Sequence, residues 1–239
     1  MKDNFVWVTF VIDESGSMWS KKVDVIGGFN NFIDEQKKES NGDLNVSIYT
    51  FSDDVTLRVK NQNKDEIKHL TDEDYRPGGC TALYDALGKA ITETGEELSK
   101  MDEKDRPSKV IVVVMTDGFE NASQKFNKSQ IREMIEHQEG KYSWSFIYIG
   151  ESLDSKADAD AIGIRMSGCY GSKGARGFTK MMSNATTAYR SCAVATADAL
   201  ACSYVKDLTN EGTSNVVNTS DVNTSSDNDV ISTLKRKIK

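Results

Sequence analysis

Three stretches of this chain are almost free of polar side chains: Phe5 to Ile12, Val110 to Met115 and Phe146 to Ile149. They are too short for buried helices, and without a polar residue at every second position they cannot lay one face against water. They predict central strands of a parallel sheet covered by helices on both sides. Leu44 to Phe51 and Val55 to Lys60 are separated only by Ser52, Asp53 and Asp54, and the second alternates Val55, Leu57 and Val59 against Thr56, Arg58 and Lys60. That is the pattern of a hairpin ending in an antiparallel edge strand.

Helical periods fill the gaps. Leu83, Ala86, Leu87, Ala90, Ile91, Thr94 and Leu98 recur at three and four, marking one face of a helix. Asn127 with Gln130 three residues later predicts a capping box, and Gly140 is placed to end that helix. Gly27 and Gly28 interrupt another helical stretch, where close packing on the sheet explains them. A longer helix is expected from about Ala175 to Ser203, and a short strand near Ile164. The order is that of an open, doubly wound, mostly parallel α/β sheet with one antiparallel edge strand. Residues 1–205 form the expected domain. From 206 to 239 Asn, Ser, Thr and Asp dominate, too polar to offset the entropy of ordering, and a disordered tail is expected.

The formal charge of −7 argues against nucleic acid and against an anionic membrane surface as partners. No apolar stretch approaches the roughly 20 residues of a membrane helix. Asp3 and Asp13 bracket the first apolar run and no small-residue cleavage site follows, which argues against a signal peptide. Cys80, Cys169, Cys192 and Cys202 lack CxxC spacing, so reduced thiols in a cytoplasmic protein are expected. With His69 and His137 the only histidines, zinc has a poor ligand supply.

In open α/β sheets, the loops at the carboxyl ends of the strands surround the ligand crevice. Asp13, Ser15 and Ser17 follow the first strand in VIDESGSM. Thr81 precedes a helix in PGGCTALYDAL, and Asp117 follows a strand in VVVMTDGFEN. Alternation along 13, 15 and 17 points these three one way and Glu14 another, with Gly16 allowing a tight turn. Two carboxylates and three hydroxyls are hard oxygen ligands, suited to Mg²⁺, or to Mn²⁺ or Ca²⁺, and near an octahedral shell once waters are added. Capping of the first helix is the plainer use of Asp13 and the serines alone. Glu14 and Glu120 are expected as solvated loop charges, and Asp85 as a residue on the helix surface or behind the site.

DESGSM, GGCTALYDAL and MTDG, in this order, resemble the three loops of the metal-ion-dependent adhesion site in von Willebrand factor A domains. The likeness runs from about Phe5 to Ser203. It implies that Asp13, Ser15, Ser17, Thr81 and Asp117 form the metal set, some directly and some through water, with an Asp or Glu of a partner protein completing the shell. The small intracellular bacterial or viral members are the nearest in character. The implied function is metal-dependent protein binding. An adaptor with a structural metal and contacts through the tail or a helix face is the alternative. A metal-dependent phosphohydrolase is a lesser one, because the Asp-x-Asp pattern of such enzymes is broken by Ser15. Gly171, Gly174 and Gly177 lack phosphate-loop spacing and are expected at a helix entry.

Overall fold

In the computed structural model, residues 1–39, 42–150 and 155–169 are described. The strands are β1 (Lys2–Asp13), β2 (Asp43–Phe51), β3 (Val55–Asn63), β4 (Pro107–Met115), β5 (Ser145–Gly150) and β6 (Met166–Cys169). The helices are α1 (Lys22–Lys38), α2 (Leu83–Lys100), α3 (Lys128–Tyr142) and α4 (Ser155–Ala161). The six strands form one sheet in the order β3-β2-β1-β4-β5-β6. All neighbours pair in parallel except β2 with β3, which are antiparallel. The expected fold class is therefore the observed one. The tail, the long helix from Ala175 and the glycines 171, 174 and 177 lie outside the described residues.

The apolar runs become central strands because both of their faces are buried. Val6, Val8, Phe10 and Ile12 of β1, with Ile111, Val113 and Met115 of β4, pack with Val25, Phe29, Phe32 and Ile33 of α1. Phe10 meets Phe29 and Phe32 edge-on, each at 5.4 Å between ring centres, a geometry favoured by the ring quadrupoles. On the opposite face, Val11, Val110, Val112 and Val114 pack with Leu83, Leu87 and Ile91 of α2 and Ile131 and Ile135 of α3. Thr9, the polar interruption of the first run, is buried there and its hydroxyl lies 3.3 Å from that of Thr94 on α2. A buried hydroxyl without such a partner would be destabilising.

The capping box forms as expected: Gln130 N donates to Asn127 Oδ1 at 3.0 Å and Asn127 N to Gln130 Oε1 at 2.9 Å. The expected stop at Gly140 does not. The helix runs on to Tyr142, and Ser143 takes the left-handed conformation at φ 55°. The amides of Ser143 and Trp144 both donate to Gln138 O, and Trp144 is buried against Phe146. Burial of the tryptophan fixes where the chain leaves the helix, and glycine two residues earlier costs only about 1 kcal/mol.

The chain crosses from β1 through α1 to β2 on one side, and from β4 through α3 to β5 on the other. The strand order therefore reverses between β1 and β4. Loops leaving adjacent parallel strands toward opposite faces leave a crevice at their carboxyl ends, and Asp13 and Asp117 sit at its mouth.

Candidate metal centre

Ile12 lies opposite Met115 in the sheet, so the residues that follow leave it side by side. The period of two puts Asp13 on the α2 face with Val11, and Thr116 on the same face with Val114. The Thr116 hydroxyl accordingly donates to Asp13 Oδ2 at 2.6 Å, and the backbone N–H of Ser15 donates to Oδ1 at 2.7 Å. Asp13 is wholly buried. Burial pushes its carboxyl above the usual range, against the lowering effect of the Thr116 and Ser15 bonds. These donors are neutral, and an ionised carboxylate held by neutral donors in a dry site favours a nearby cation.

Ser15 is extended (φ −70°, ψ 170°) and leads into a 3₁₀ turn, Gly16–Lys21, but its side chain makes no capping bond. Helix capping is thus not the use of this loop. The Ser15 and Ser17 hydroxyls are 3.1 Å apart, Ser17 donates to Asp117 Oδ1 at 2.7 Å, and the Lys21 ammonium bonds Asp117 Oδ2. Gly16 does not use a glycine's freedom: a Cβ there would meet only Gly79 O at 3.5 Å. The glycine that the turn requires is Gly79, at φ +80° and with Asp53 Oδ2 where its Cβ would stand, 2.1 Å away. Asp53 Oδ1 also accepts from Cys80 N at 3.2 Å.

The Thr81 loop is laced to its neighbours by backbone bonds. Gly16 N donates to Gly79 O at 3.1 Å and Gly78 N to Glu14 O at 2.8 Å, while the buried Tyr75 hydroxyl donates to Asp13 O. Thr81 N donates to Asn121 Oδ1 at 2.9 Å, and Thr81 O accepts from Asn121 N at 3.0 Å. A Cβ on Gly118 would stand 2.8 Å from Thr81 Oγ1 and 3.3 Å from Asp13 Oδ2. Both oxygens therefore border the small space over Gly118, and glycine keeps it open. The structure brings all five sequence-derived residues to one rim.

Two acids depart from expectation. Glu14 is buried: its Oε1 accepts from Arg76 N at 2.5 Å and its Oε2 from Arg58 Nη2 at 3.0 Å. Glu120 accepts from Tyr84 N (3.0 Å), Ala122 N (3.0 Å), Ser123 N (2.8 Å) and the Ser123 hydroxyl (2.8 Å). Neither is a solvated loop charge; both organise backbone. Asp85 accepts from the amides of Gln124, Lys125 and Phe126, tying α2 to the third loop behind the site. Thr116, Lys21 and Asn121 were not singled out by the sequence reading. Only Thr116 had a signal, its place beside Asp117 at a strand end.

Among the described residues no group of three or more His, Cys, Asp or Glu could hold a metal ion, so a cation here depends on hydroxyl oxygens. The donor set of two carboxylates and three hydroxyls fits a hard divalent ion, and one of the carboxylates already draws a cation, the Lys21 ammonium.

Comparison with known proteins agrees with this architecture. The profile of the von Willebrand factor type A domain matches residues 8–168. Human inter-alpha-trypsin inhibitor heavy chain H2 is 29% identical over 115 residues, covering 46% of this chain and 12% of that protein. The chain thus matches about an eighth of the length of that relative. Among solved structures, the PilB minor pilin from Streptococcus sanguinis superposes with a TM-score of 0.57 at 15% identity, covering 80% of this chain and 62% of the pilin. Proximal thread matrix protein 1 from the mussel byssus, with a zinc-occupied MIDAS motif, gives 0.54 at 18% identity, covering 77% and 48%. Manganese-loaded Plasmodium vivax TRAP gives 0.50 at 16% identity, covering 77% and 75%.

Proposed function

The chain belongs to the von Willebrand factor type A family, and from that premise we propose that it binds a partner protein through a divalent cation at the crevice between β1 and β4. Asp13, Ser15, Ser17, Thr81 and Asp117 would hold the ion, Mg²⁺ first and Mn²⁺ or Ca²⁺ as substitutes, and an Asp or Glu of the partner would complete its shell. The observation that carries the reading is the continuous run of oxygen contacts from Ser15 through Ser17 to Asp117, facing Asp13 and Thr81 across Gly118. The metal-loaded neighbours support it by fold. When bound, the cation supplies an electrophilic point of attachment for a carboxylate. The chain's own residues set its position. Glu14, Glu120, Asp53 and Asp85, the acids near the rim among the described residues beyond the proposed set, are committed to Arg58 and to backbone amides, which favours binding over acid–base catalysis. The scattered cysteines support a cytoplasmic setting.

Calorimetric titration with Mg²⁺ tests the centre: Asp117→Ala is expected to weaken binding at least about tenfold, as loss of a charged ligand should. An unchanged affinity sinks the reading.

The rim also describes the partner. Trp19 (67% exposed) and Val23 (80%) follow the first loop, and Phe119 (72%) lies two residues beyond Asp117. Large exposed apolar side chains around a polar centre suit an acidic residue flanked by apolar ones, the aromatics acting as anchors. Truncating Trp19 and Phe119 to alanine together is expected to weaken partner binding about tenfold or more and to leave Mg²⁺ affinity at its wild-type value. Surface plasmon resonance beside calorimetry separates the two effects.

A further inference from the structure

Lys21 closes the 3₁₀ turn that starts at Gly16, four residues beyond Ser17. Its side chain is only 14% exposed and that of its partner Asp117 only 5%. The neighbouring Ser17, Trp19 and Ser20 are all exposed, so in its turn this lysine is folded inward along with the buried Met18. Among the described residues, the other bonds around the two carboxylates come from neutral groups: the Ser15 amide and hydroxyl, the Thr116 hydroxyl, the Gly118 amide and the Ser17 hydroxyl. The Lys21 ammonium is, among the described residues, the cation bonded to Asp117.

We infer that Lys21 is an internal counter-cation, which holds Asp117 in the metal-free protein and must be displaced for a divalent ion to coordinate that carboxylate. This rests on the metal-binding reading above and adds the regulation of that site. The chemistry of the groups favours exchange over sharing. A serine hydroxyl can turn its hydrogen aside and offer a lone pair to a metal, so Ser15 and Ser17 can change from bonding each other to ligating. An ammonium has donors only and cannot ligate. Placed against the same carboxylate as a dication, it would also meet strong repulsion in a site poor in water. Lys21 is therefore an affinity-setting residue, and its presence keeps the loops assembled before metal arrives.

The test compares the wild type with Lys21→Met, of similar reach without charge, and Lys21→Arg, which keeps the charge. Two readouts are taken: Mn²⁺ affinity from the free-ion electron paramagnetic resonance signal, and melting temperature in chelator. Lys21→Met is expected to bind Mn²⁺ about tenfold more tightly and to melt lower in chelator, because Asp117 loses its cation. Lys21→Arg is expected to keep both properties near wild type. Mn²⁺ affinity that is unchanged or weaker in Lys21→Met overturns the inference while leaving the metal site standing. If no variant binds Mn²⁺ and Lys21→Met still melts lower, the lysine is a permanent structural partner, and both the exchange and the metal reading fall.

Discussion

Asp13→Asn is expected to abolish divalent-ion binding and, in chelator, to make the protein more stable. On the proposed reading the cation would lose its buried anionic ligand, which accounts for the first effect. The second follows from burial. The Asp13 carboxyl is driven above its usual range by desolvation, so its ionised form carries a penalty in the native state that it lacks in the unfolded chain. Asparagine keeps most of the bonds: Oδ1 still accepts from Ser15 N, and its NH₂ donates to the Thr116 hydroxyl, which can turn its hydrogen to Gly118 O at 3.3 Å, while the Gly118 amide, which also bonds the carboxylate, is left to the Thr116 hydroxyl oxygen at 3.1 Å. Removing the buried charge should add about 1–2 kcal/mol, roughly 3–6 °C in melting temperature for a domain of this size. The sign with pH is fixed. Below the ordinary aspartate range the group is protonated in both states and no penalty exists. The penalty grows as pH rises through the unfolded-state value and levels off above the elevated native one. The gain from Asp13→Asn is therefore full at neutral pH and vanishes in acid. Melts of both proteins in chelator across pH check this, and a variant less stable than wild type at pH 7 refutes it.

Elements whose burial is dictated by their own neighbours along the chain were legible in the sequence. Val110 to Met115 cannot face water on either side, so it is a central strand, and Asn127 with Gln130 closes on itself within four residues. That five oxygen-bearing residues share one rim was legible because three loops at strand ends carry them. The support beneath Thr81 was not. Glu14 finds Arg58 across 44 positions and the Arg76 amide across 62, and no local pattern marks either meeting. Gly16 read as the turn glycine because it stands between two serines, yet the left-handed conformation that needs glycine falls on Gly79, which passes against Asp53. Lys21 carries no local mark, and only the placement of Asp117 from another strand gives it a carboxylate partner.

Glu14 is where the largest structural loss is expected, although it is no ligand. Its backbone N–H donates to Phe51 O at 2.7 Å and its carbonyl accepts from Gly78 N at 2.8 Å, so its main chain already joins β1, the end of β2 and the Thr81 loop. The side chain adds the Arg76 amide and Arg58, whose Nε in turn bonds Thr50 Oγ1 at 2.9 Å. Truncation to alanine leaves the Arg76 N–H without its acceptor and breaks the ion pair. A fully buried pair would lose about 3–5 kcal/mol, but the Arg58 side chain is 36% exposed and regains water, so about 2–3 kcal/mol is expected. Glu14→Gln keeps an acceptor for the Arg76 amide and should lose about 1 kcal/mol. Because Arg76 to Gly78 lead directly to Thr81, Mg²⁺ affinity should fall along with stability in Glu14→Ala, and less in Glu14→Gln. Urea unfolding in chelator and Mg²⁺ titration on the same samples decide it. A Glu14→Ala protein that loses stability but binds Mg²⁺ like wild type would show that the bonds from Thr81 to Asn121 hold the threonine in place without the loop that precedes it.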